Sequence, residues 1–158
     1  MTNSEEEQYR VLSFLDFGSF PGSICFSSGY SIDDLLETLK KKRLTHWHWC
    51  ANRHKGEFAP WFTLRTTVDD DGEEFTYYFI FIRDPFDFSD LSMCYLAHEV
   101  LHLCQFHLQL LLNRNREHEA EAYTHTHVMK QCLAALRCKP GKTVKPRLKE
   151  ESTRFKTA

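Results

Sequence analysis

Apolar and polar positions divide the chain into blocks of two different periods. Val11 to Ser28 is mostly apolar and aromatic and is broken at Gly18 and at Pro21-Gly22, which predicts a strand–turn–strand unit. Ser31 then opens a helix. It stands at the N-cap, Asp33 and Asp34 fall in the first turn, and Leu35, Leu36 and Leu39 share a face. Lys40, Lys41, Lys42 and Arg43 close it, where the helix dipole favours cations. His46-Trp47-His48-Trp49-Cys50 alternates residue by residue and so predicts a strand. Trp61 to Val68 and Phe75 to Arg83 are β-like runs on either side of Asp69-Asp70-Asp71-Gly72, the strongest turn signal, and predict a hairpin.

After Asp84-Pro85 the period lengthens. A helix is predicted from about Ser89 to Leu112, capped by Asp87 or Ser89, with an apolar stripe through Leu91, Tyr95, Val100, Leu103 and Leu110. Asn113-Arg114-Asn115-Arg116 is a short polar turn, and a second helix follows from about Glu117 to Leu136. So short a turn predicts two long helices lying antiparallel. The expected fold is α+β: N-terminal strands and a helix, an aromatic hairpin, then the helix pair.

The chain has 158 residues, 42% of them hydrophobic and 13 of them Phe, which suffices for one well-filled core and excludes a disordered chain. No stretch approaches the ~20 apolar residues of a membrane span. Glu5, Glu6 and Glu7 stand where a secretory signal carries Lys or Arg, so residues 1–10 read as an acidic leader and the expected location is the cytoplasm of the producing or host cell. The net charge of −2 hides an asymmetry. Residues 139–158 hold seven Lys or Arg against Glu150 and Glu151, a net of +5, which leaves −7 on residues 1–138. The division expected is therefore one domain over 1–138 and a flexible basic tail over 139–158. Such a tail can touch nucleic acid or an acidic partner weakly through counterion release, although a solvated appendage is the plainer reading. None of the six Cys forms a Cys-x-x-Cys pair, so reduced thiols are expected, with Cys94, Cys104 and Cys132 serving as small apolar residues in helices.

Chemistry concentrates in the first long helix, at His98-Glu99-Val100-Leu101-His102. Two His four apart lie one above the other on a helix face and can reach one tetrahedral ion. Glu99 is turned about 100° from His98, beside such an ion rather than on it, where a base for water belongs. At this chain's own His and Glu frequencies the pattern arises by chance about 0.04 times. Catalytic zinc takes three protein ligands and keeps one position open. The second helix offers the third in Glu117-His118-Glu119-Ala120-Glu121-Ala122-Tyr123: Glu119 fits best, followed by the small Ala122, and Glu121 is the rival, on a face with His118 and His125. His118, His125 and His127 are further candidates.

His98-Glu99-Val100-Leu101-His102 followed by Glu119-x-x-Ala122-Tyr123 resembles the gluzincin branch of zinc metallopeptidases, and more closely the small single-domain peptidases of bacteriophages and prophages. The resemblance covers roughly Phe75 to Leu136. It implies His98, His102 and Glu119 as zinc ligands, Glu99 as general base, and a peptide or protein substrate. Many gluzincins carry an Asp four residues after the ligand Glu; here Tyr123 stands there, with stabilisation of the oxyanion as an alternative role. Peptidases of this kind also use an edge strand before the motif helix to hold an extended peptide, and Phe75 to Arg83 is placed for that. Its near-unbroken apolar run fits a buried central strand instead.

His46, His48 and Cys50 share a face of their expected strand with His54 nearby, so a second metal site is one reading and packing the plainer one. His107 reads as an ordinary surface or core His. Two function classes lead, ahead of a nucleic-acid accessory role through the basic tail. One is zinc-dependent peptide hydrolysis. The other is a catalytically inactive, zinc-stabilised phage-type interaction protein that binds a host factor.

Overall fold

The computed structural model describes residues 9–18, 20–111 and 118–138, and of residues 20, 109–111, 118 and 119 the backbone alone. The basic tail, most of the acidic leader and the turn between the long helices lie outside the described residues. Arg10, counted in the leader, is tied down: its guanidinium donates to Asp34 at 2.9 Å and lies 5.2 Å from the centre of the Tyr30 ring.

Strands β1 (Val11–Phe17) and β2 (Phe20–Ser28) pair antiparallel, as do β3 (Trp61–Asp70) and β4 (Glu73–Ile82). The second hairpin turns on Asp71 and Gly72, both at positive φ (52° and 82°), the backbone that a two-residue hairpin loop needs. Asp69 accepts the Gly72 N–H at 2.9 Å and fixes the turn. β2 and β4 pair parallel, giving one sheet in the order β1-β2-β4-β3. Four helices cover it: α1 (Ile32–Lys41), α2 (Thr45–Arg53), α3 (Asp90–Leu111) and α4 (His118–Arg137). The fold is α+β, and among the described residues no helix is long and apolar enough to cross a membrane.

β4 explains its own sequence. Tyr78, Ile80 and Ile82 alternate with Tyr77, Phe79 and Phe81, and both sets are buried. The even set joins Ile24 and Phe26 against Leu96, Val100 and Leu103 of α3 and Val128 of α4. The odd set joins Leu35 and Leu39 of α1 and Trp47 of α2. A strand covered on both faces loses alternation and reads as one apolar run. β4 is therefore central, the alternative its near-unbroken apolar run favours, and the terminal strand beside α3 is β3, so a peptide-holding edge does not fall at Phe75 to Arg83.

Three further expectations are corrected. His46 to Cys50 lies in helix α2, not in a strand. Trp47, Cys50 and Ala51 recur at helical spacing and are all buried, with Trp47 edge-on to Tyr77 and Phe79 at 4.9 and 5.3 Å. In so short a window alternation and helical spacing coincide, and burial of Trp47 chooses between them. In α3, Leu91 and Tyr95 leave the expected core stripe: they are 62% and 46% exposed, while Leu96 and Cys104 take their place beside Val100 and Leu103. The long helices run 22 and 20 residues but do not pair as an antiparallel unit along their length. α3 packs over β3 and β4, whereas α4 divides its packing between α3 and β1.

Candidate metal centre

The start of α3 sets the register of everything outside it. Ser89 Oγ accepts the Ser92 N–H at 3.2 Å, and Asp87 accepts the Ser89 N–H at 2.9 Å. Hydrogen bonds from the Ser92 side chain, then from Ser89, hold the Asp87 carboxyl down at about 2. With the helix start pinned and Leu96, Val100 and Leu103 inward, His98 and His102 fall on the outer side. Their Nε2 atoms lie 2.9 Å apart, with the rings edge-on. Two imidazoles on one tetrahedral zinc at ~2.0–2.1 Å hold their nitrogens about 3.3 Å apart, so the pair needs only a small spread to take the ion. His102 also lies nearly parallel to the Phe106 ring, with centroids 6.2 Å apart.

Glu99 turns the other way, towards β3. The Thr63 hydroxyl donates to its carboxylate and lies 3.2 Å from its backbone carbonyl. Because β3 ends the sheet, this puts the carboxylate at a sheet edge, one residue along the helix from His98. Sequence reasoning passed over Thr63. A Thr in a β-like run carries no signal for this role, which depends on which strand ends the sheet.

On α4 the side facing α3 carries Glu121 and His125. Burial first, and the Glu121 carboxylate second, push the Cys104 thiol up to about 12. His125 Nε2 donates to the carbonyl of Ala97, the residue before His98, at 3.1 Å. Glu119 belongs to α4, but its side chain, like that of His118, lies outside the described residues. One turn further along the face of Glu119, Tyr123 is 76% exposed. It lines a cavity of about 490 Å³ with Phe17, Thr126, His127 and Lys130, and no α3 residue is among the described residues that line it. His127 is held away from His98, with Nε2 2.6 Å from Asp16 and its ring against Gly18. Among the described residues no three His, Cys, Asp or Glu side chains converge as a complete metal cage.

The histidines of α2 serve otherwise. His46 Nδ1 is 2.9 Å from the Tyr77 hydroxyl, and His54 bonds the Glu57 carboxylate and the Thr66 hydroxyl. Cys50 is buried, its thiol raised to about 12 chiefly by desolvation. In a helix His48 lies about 200° around from His46, so the shared face expected of a strand does not exist. His107 is a core residue: it stacks on Phe17 at 3.8 Å and bonds the Tyr78 hydroxyl through Nδ1 at 2.7 Å. Burial lowers its pKa to about 4, with the Pro21 carbonyl opposing that shift and Arg65 adding to it.

No protein-family model, no curated protein and no solved structure matches the chain.

Proposed function

We propose that the chain is a small zincin-like, zinc-dependent peptide hydrolase in which His98, His102 and a carboxylate of α4 bind the metal and Glu99 is the general base. One observation carries the reading: two imidazole Nε2 atoms meet at 2.9 Å on the outer side of α3, with the next carboxylate along the helix fixed at the sheet edge. The two α4 candidates for the third ligand are Glu119, favoured by its spacing, and Glu121, whose charge acts on Cys104 about 200° around α3 from His102. Tyr123 has no part in the chemistry on this reading.

Zinc held there supplies a Lewis acid that polarises the scissile carbonyl and acidifies a water. The chain's own residues do the rest. Thr63 holds one Glu99 oxygen, which orients the carboxylate. The other oxygen takes the proton of the attacking water and passes it to the leaving amine. Strand β3, at the end of the sheet, offers its backbone to an extended peptide.

Elemental analysis of the purified protein, with mass spectrometry of a peptide mixture after incubation, tests this on wild type, Glu99→Gln, Glu121→Gln and Glu119→Gln. The expected result is bound zinc, with hydrolysis in Glu99→Gln lower by about 10²–10⁴-fold at unchanged metal content. Weakened zinc binding in one of Glu119→Gln and Glu121→Gln identifies the third ligand, and unchanged binding in both overturns an α4 ligand. Unchanged hydrolysis in Glu99→Gln overturns the role of Glu99. Bound zinc without any hydrolysis in wild type replaces the reading with an interaction protein whose metal joins α3 to α4.

A further inference from the structure

The outer face of α3 does not end at the histidines. Leu91, Tyr95, His98 and His102 stand at i, i+4, i+7 and i+11, so they form one stripe. Its first half is apolar and its second half is the histidine pair. Tyr95 is 46% exposed and its ring centre is 5.4 Å from that of Trp61, at the start of β3. Trp61 continues into Phe86 at 6.3 Å, and Phe86 into Phe88 at 5.0 Å. Phe88 and Leu91 are 44% and 62% exposed. Phe88 is held at φ +58°, a left-handed backbone that costs a bulky residue free energy and is fixed here by the Asp87–Ser89 hydrogen bond. The fold thus holds an aromatic ring at the surface beside other exposed apolar groups, as interaction sites do.

We propose that this patch is the subsite that seats a large apolar side chain of an extended peptide substrate, with basic residues flanking that side chain. The inference rests on the hydrolase reading and names its substrate class. Spacing supports it. Tyr95 is one helical turn from Glu99, about 5–6 Å, and Trp61 is two residues from Thr63 on the same face of β3, about 7 Å. An extended peptide repeats its side chains on one face every ~7 Å, so the seated residue lies within about two residues of the bond at Glu99. Charge supports it too. Asp84, Asp87 and Asp90, all exposed, surround Phe86, Phe88 and Leu91 in sequence, and only Arg83, 3.5 Å from Asp84, is paired with any of them among the described residues. Basic flanks on the peptide complement that rim, and acidic flanks oppose it.

The test uses zinc-loaded full-length Glu99→Gln and three fluorescein-labelled decapeptides that differ only in a central Lys-Phe-Lys, Lys-Ser-Lys or Glu-Phe-Glu, read by fluorescence anisotropy. Lys-Phe-Lys is expected to bind about tenfold more tightly than either other peptide. Tyr95→Ser and, at the still more exposed neighbour, Leu91→Ser abolish the preference for Phe at unchanged zinc content. Equal affinity for the Phe and Ser peptides, or an undiminished preference in both variants, overturns the proposal. Digestion of the same peptides by wild type separates the two readings. Cleavage that ignores Phe leaves the hydrolase and sinks the subsite. A preference for Phe that is lost in Tyr95→Ser, with no cleavage by wild type, leaves the subsite and sinks the hydrolase.

Discussion

Helices α2 and α3 carry similar-looking clusters of histidine and cysteine, and the fold treats them in opposite ways. In α2 the His46 Nδ1 meets the Tyr77 hydroxyl, His54 just beyond the helix bonds Glu57 and Thr66, and Cys50 is sealed in the core with Trp47. In α3 the Nε2 atoms of His98 and His102 face each other at the surface. The same helix buries a third imidazole, His107, between Phe17 and Tyr78. Residue type therefore says little about ligand chemistry. The difference is that the Nε2 atoms of His98 and His102 meet each other at hydrogen-bond distance in the open, whereas His46, His54 and His107 bond to side chains of other elements.

Four measurements can break this contrast. The largest effect is expected at the anchor of α2: Trp47→Ala should cost about 3–5 kcal/mol in denaturant unfolding while zinc affinity stays as it was. A loss of zinc binding in that variant would make α2 part of the metal site. His107 comes next, because its imidazole is neutral in the fold and protonates near pH 4, against 6.5 when unfolded. Its full contribution is present above about pH 6.5, and roughly 3 kcal/mol is lost as pH falls from there to about 4. Unfolding curves across that range should flatten in His107→Gln, and an equally steep decline there would place the acid sensitivity elsewhere. Third, His98→Ala or His102→Ala should weaken zinc binding at least about 100-fold, while unfolding of the metal-free protein shifts by only about 0.5 kcal/mol. A large loss of metal-free stability would make this pair structural, like those of α2. Smallest is His46→Phe, expected to cost about 1 kcal/mol through its bond to Tyr77, with zinc titration unchanged.

Much of the fold is legible in local pattern. The Ser31 cap, the Asp71-Gly72 turn and the span of α3 follow from rules that act over a few residues, so the Asp34, Gly72 and Ser92 N–H groups donate to Ser31, Asp69 and Ser89. The misread strand depends on distant partners. Residues 46–50 of α2 alternate as a strand does; only contact with Tyr77 and Phe79, some 30 residues on, makes Trp47, Cys50 and Ala51 the decisive set. Leu91 and Tyr95 are separated from the core by period itself: at about 100° per residue Leu91 lies about 180° around the helix from Val100, on the histidine side. Of the candidate site, the spacing of His98, Glu99 and His102 was readable at once. Thr63 and the choice between Glu119 and Glu121 were not, because both depend on how separate elements face each other.

By itself the sequence determined the local period of most elements, the caps and turns that bound them, and the two histidines one helical turn apart. Those properties arise within one helix or one hairpin, where bond geometry and nearest-neighbour hydrogen bonds suffice. Tertiary structure alone decided that β3 is the terminal strand, that α2 is a helix, and that Trp61 of β3 meets Tyr95 beside the histidine pair. Each of these depends on which surfaces are covered, and burial is a property of the assembled layers that no short window of the chain contains.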